Sequence, residues 1–145
     1  MAQLAGGSYQ NALELARYVI DVAETMPMPV GQIYGLSVHG LALARMGLME
    51  RAVESSSAAV TLLMEQNRPE RAEEILYYHA TICEQAGEIA AAGNAIAAGY
   101  RELSDKMSRL HDQKLASTYR ASHIPQAIIW THERLIGPVG TSAAE

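Results

Sequence analysis

The sequence predicts an all-α fold built from repeated helical hairpins, and three observations carry that prediction. The first is composition. Phe is absent, aromatics are 6% of the chain, and 24 Ala and 14 Leu supply most of the apolar mass. Such a core is made of small and straight-chain side chains, which lose little freedom in a helix. The second is an internal offset of 40 residues. Gly7, Gly47 and Gly87 are each followed five residues later by alanine, at Ala12, Ala52 and Ala92, and Pro29/Pro69, Leu36/Leu76 and His39/His79 keep the same spacing. The third is punctuation, with glycine at the turn inside each unit and proline at the turn between units.

Taken in order, the first helix is expected over 8–25 and ends at Met26-Pro27-Met28-Pro29, where a proline suits the first turn of the next helix. The second, over 30–46, ends at Gly47, because a residue without Cβ takes positive φ at little cost. In the third, over 49–66, Leu48, Ala52, Val53, Ala59, Val60 and Leu63 fall on one side. Asn67-Arg68-Pro69 opens the fourth, over 69–86, and Gly87 closes it. The fifth runs over 89–110, the sixth over 112–122 with Asp112 as its cap, and a shorter helix over 125–135. The units are 1–27, 28–67 and 68–110, with closing helices over 112–136; residues 137–145 have neither period nor bulk and are expected to be disordered.

The chain has 145 residues, room for one domain or three to four helical repeats. Its net charge of -5 disfavours non-specific binding to a phosphate backbone, so no nucleic-acid partner is expected. A single cysteine forms no internal disulfide, and no zinc spacing exists, which fits a reducing, cytoplasmic setting. The amino terminus does not read as a secretory signal, and the most apolar stretch, 89–100, is far short of the roughly 20 residues that cross a bilayer.

The residues resemble the tetratricopeptide repeat (TPR), a helix-turn-helix unit. Leu36, Gly40, Leu43, Gly47, Ala52, Ser56 and Ala59 fall at its signature spacings, and so do Leu76, Ala80, Cys83, Gly87, Ala92, Ile96 and Gly99. The first unit matches only through Gly7, Tyr9, Ala12, Ala16 and Val19. The common unit has about 34 residues, so each helix here gains about three, roughly 4.5 Å at 1.5 Å per residue. The resemblance is to a long variant found in polarity adaptors and in the carboxy-terminal arrays of large bacterial regulators. It implies a TPR-like α-solenoid of antiparallel helical hairpins, wound as a right-handed superhelix and binding peptides or proteins. A first unit without most of its leading helix fits an excised end of a longer array, or a small protein whose exposed first helix is covered by self-association.

No residue cluster reads as a catalytic centre, and no cofactor is expected. His39 and His79 lie at equivalent positions of adjacent hairpins, about 10 Å apart, too far to share one metal, and are expected to pack between helices. Cys83 falls in the core, and Ser55-Ser56-Ser57 has no nucleophile elbow. Glu73 and Glu74 sit near a helix amino terminus, where the macrodipole accounts for them. The glycines stand at turns, not in a phosphate-binding loop.

What remains is a surface. In the family the leading helix of each hairpin lines a concave groove. By matching positions that groove would present Tyr34, Ser37, Val38, Leu41, Ala44 and Arg45 from the second unit, and Glu74, Tyr77, Tyr78, Thr81, Glu84 and Gln85 from the third. The tyrosines would be its anchors, since Tyr offers a large contact area with few rotors; the competing expectation is that Tyr34 or Tyr78 packs against the neighbouring hairpin. The lysines and asparagine of the family's chaperone-binding clamp are absent, which leaves an amphipathic or mildly basic segment, or another helix of the same protein, as the expected partner. The alternative is a regulatory or sensor segment of a larger ATPase, cyclase or transcriptional regulator.

Overall fold

The computed structural model describes residues 9–24, 29–66 and 72–137. They form seven helices: α1 Tyr9–Glu24, α2 Pro29–Arg45, α3 Met49–Met64, α4 Ala72–Gln85, α5 Ile89–Ser108, α6 Gln113–Ala121 and α7 His123–Leu135. Every predicted helix is present, with ends moved by a few residues. The proline-marked turns, Gly7 and most of the tail lie outside the described residues. The helix expected from 125 begins at His123, which puts Pro125 inside the first turn, where a missing N–H breaks no helical bond.

The 40-residue period is visible atom by atom at the two glycine turns. Gly47 and Gly87 have φ of 83° and 84°. Gly47 N–H bonds the Ala44 carbonyl at 3.0 Å and Leu48 N–H bonds the Leu43 carbonyl at 3.0 Å. Forty residues on, Gly87 N–H bonds Glu84 at 3.0 Å and Glu88 N–H bonds Cys83 at 2.9 Å. Both turns therefore close the same way, satisfying the last carbonyls of one helix and reversing the chain into the next. The hairpins α2/α3 and α4/α5 follow directly.

Alanine and glycine then set how closely the hairpins pack. Ala52, Ala59, Ala80 and Ala92 are fully buried. In α3 the buried stripe is Ala52, Ser56, Ala59 and Leu63, while Leu48, expected on the same side, is exposed at 38%. Gly40 of α2 marks the tightest approach: a Cβ there would lie 3.1 Å from Ile82 Cδ1 of α4 and 3.2 Å from the Ala52 carbonyl oxygen of α3. α2 thus packs on α1, α3 and α4 together.

Beyond α5 the spacing changes. α7 packs on α5 and reaches α4, whereas α6 packs mainly on α7 and buries none of its residues. Asp112 caps α6, its carboxylate accepting from Lys114 N–H at 2.9 Å and Leu115 N–H at 3.2 Å, as its position before the helix predicts.

Two substitutions test the turns. Nothing lies within 4 Å of a Cβ built on Gly47 or Gly87, so only backbone conformation opposes a side chain there. Gly47→Ala and Gly87→Ala should each lower the unfolding free energy in urea by roughly 1–2 kcal/mol, the cost of placing an L-residue in the left-handed region.

Candidate functional site

The expected groove residues sort themselves by helix geometry. Tyr34, Val38, Leu41 and Arg45 form one i, i+4, i+7, i+11 stripe along α2, and Glu74, Tyr78, Thr81 and Gln85 form the equivalent stripe along α4. All eight are half-buried or exposed. Since α2 and α4 touch, the two stripes lie on neighbouring helices.

Ser37 and Ala44 do not belong to that surface. They are exposed at only 1% and 8%, on the stripe that also carries Ile33 and Gly40. α2 is enclosed by three helices, and this side of it is covered. Their equivalents on α4 are Tyr77 and Glu84, and here α7 takes the covering position. Tyr77 packs on the cluster holding Ile128 of α7. Glu84 receives both guanidinium nitrogens of Arg134, one at 2.7 Å. α7 therefore stands toward α4 as α4 stands toward α2.

The electrostatics of the α4 stripe follow from these contacts. Tyr78 donates its hydroxyl to Glu74 Oε2 at 2.5 Å. Burial, then the hydrogen bond and charge of Glu74, then the Tyr34 hydroxyl, hold the Tyr78 phenol well above its ordinary range, so it stays a donor. The hydrogen bonds from Arg134 hold the Glu84 carboxyl below its usual value. Arg134 also lies over the Trp130 ring, 4.8 Å from its centroid, and Trp130 is 62% exposed. Trp130 and Arg134 were not legible as site residues, because α7 meets α4 at an offset of 50 residues, not 40. The lone tryptophan was the available signal.

A second arrangement corrects the reading of Glu73. It is 5% exposed, far too buried for a simple helix-end carboxylate. Its Oε2 accepts from Lys106 Nζ at 2.6 Å and from the Tyr119 hydroxyl, 46 residues downstream. Lys106 also sits 5.3 Å from the Tyr119 ring centroid. Burial and then the Glu73 hydrogen bond raise the Tyr119 phenol well above its normal range. The cluster ties α6 to α4 and α5 and borders a cleft of about 360 Å³ that Glu74 and residues 122–125 also line.

The sequence-selected histidines sit between helices. His39 Nδ1 lies 3.3 Å from Ser55 Oγ, and His79 Nδ1 lies 2.6 Å from Ser56 Oγ. His132 stacks on Tyr100 with ring centroids 4.3 Å apart. Cys83 is 1% exposed, with its thiol pushed up by burial, and His79 Nε2 is 3.5 Å from its sulfur. Among the described residues no group of three His, Cys, Asp or Glu is placed to hold a metal ion, and no helix is long and apolar enough to cross a membrane. Comparison with known protein families, curated proteins and solved structures gives no match.

The Glu73 cluster yields a prediction. Glu73→Ala removes the buried carboxylate that accepts from both Lys106 and Tyr119 and should destabilise the fold by about 1–3 kcal/mol, and Tyr119→Phe by about 1 kcal/mol. In a thermal-denaturation cycle the double variant should lose less than the sum, because both changes remove the same bond.

Proposed function

We propose that this chain is a TPR-type protein-interaction module that binds a peptide or helix and works by binding alone. Its hairpins stack as a right-handed solenoid, and the partly exposed stripes of the leading helices α2 and α4 line the concave side. The observation that carries this reading is the equivalence of the two stripes: Tyr34, Val38, Leu41 and Arg45 repeat 40 residues later as Glu74, Tyr78, Thr81 and Gln85 on a helix packed beside the first. Such a surface accumulates affinity unit by unit, with a few aromatic anchors providing most of it.

α7 modifies the chemistry of the surface. Glu84 is paired with Arg134, which leaves the site less acidic than its residue list suggests, and Glu74 accepts the Tyr78 hydroxyl. Trp130 extends the aromatic content at the α7 edge. The partner that fits is an amphipathic segment whose apolar side chains reach Tyr34, Val38, Leu41 and Tyr78, with modest basic character beside Glu74.

The test is selection of peptides from a displayed random library on the immobilised chain. Enriched peptides should carry apolar residues at regular spacing, and Tyr34→Ala/Tyr78→Ala should weaken their binding at least about tenfold, as hot-spot truncation does. Unchanged affinity in that folded variant would place the binding surface elsewhere.

A further inference from the structure

Two equivalent histidines converge on adjacent residues of one helix. His39, from α2, meets Ser55 of α3, and His79, from α4, meets Ser56 of α3. The hydrogen-bond directions at His39 are determined. The Ser55 hydroxyl donates its only proton to the Leu36 carbonyl at 2.9 Å, so toward His39 it can only accept. Nδ1 of His39 must therefore carry the proton, and Nε2 is the bare nitrogen. Nε2 is buried, with no hydrogen-bond partner among the described residues.

Charge reinforces that geometry. Arg17 of α1 and Arg51 of α3 are near enough for their charges to disfavour a protonated His39, and α4 presents the apolar Ile82 against the next residue, Gly40. A proton added at Nε2 would create a buried N–H without an acceptor among the described residues and add a positive charge repelled by Arg17 and Arg51. Both effects oppose the imidazolium.

We propose that His39 is an acid-sensitive latch of the α1–α2–α3 packing: neutral, it fastens α2 to α3 through Ser55, and protonation at Nε2 drives those helices apart. Burial first, and then Arg17 and Arg51, hold its pKa below 6.5. His79, at the α3–α4 joint, is likewise lowered by burial, against an opposing contribution from Glu88. The sign follows from linkage. The unfolded chain takes up the proton near pH 6.5 while the folded chain resists it, so stability is full above that pH and falls as the pH drops below it toward the folded value.

The experiment pairs an NMR titration of the wild-type imidazoles with thermal unfolding at pH 7.5 and 5.5. His39 should show the Nδ1–H tautomer and a pKa below 6.5, and the wild-type Tm should fall by about 5 °C or more on acidification. His39→Asn keeps a donor toward Ser55 and does not titrate; its Tm should fall by at least about 2 °C less than that of the wild type, with His79 and His132 accounting for the remainder. A His39 pKa at or above 6.5, the Nε2–H tautomer, or the same acid loss in His39→Asn would overturn the proposal. Should that variant fail to fold, the wild-type titration alone decides.

Discussion

Three helices meet at a residue that has no side chain. At Gly40 the backbone of α2 comes close enough to α3 and α4 that a methyl group would press on the Ala52 carbonyl and on Ile82 at once. Ile82 in turn belongs to the core cluster that includes Leu13 of α1, Leu43 and Ala52. Interiors pack at crystal-like density, so this approach distance fixes the positions of the surrounding side chains. Ser55 and Ser56 bond His39 and His79 because α3 is held between the helices carrying them.

The same constraint produces the candidate surface. With one side of α2 covered by α4, positions 37 and 44 are buried, and the stripe through 34, 38, 41 and 45 stays open. Forty residues on, α7 covers positions 77 and 84 with an aromatic contact and an Arg–Glu pair in place of small residues. One packing arrangement recurs with different chemistry at its second occurrence. α6, interposed before α7, contributes no buried residue and is fastened through Tyr119 to Glu73.

What could be read from the sequence was whatever depends on neighbours in the chain. Gly47 and Gly87 announce their turns because positive φ is a local demand, and Asp112 announces its cap for the same reason. Helix existence followed from periodicity and composition. The candidate site is legible in part: matching positions give the stripes on α2 and α4, but they also place Ser37, Ala44, Tyr77 and Glu84 in the groove, where packing between helices covers them. Glu73 was read through the helix dipole, a local effect, while its partners stand 33 and 46 residues away. The role of α7 is hidden in the sequence because α6 displaces it from the 40-residue spacing, putting Arg134 50 residues from Glu84.

The central claim is that α2, α3 and α4 form one packed unit around Gly40, with α6 attached to it through a polar anchor. Native-state hydrogen exchange measures this helix by helix. Amides in the middle turns of α2, α3 and α4 should open with one common free energy, the largest in the chain, and those of α6 should open at a clearly lower one. Independent opening of α2 and α3, or protection in α6 equal to theirs, would contradict the account.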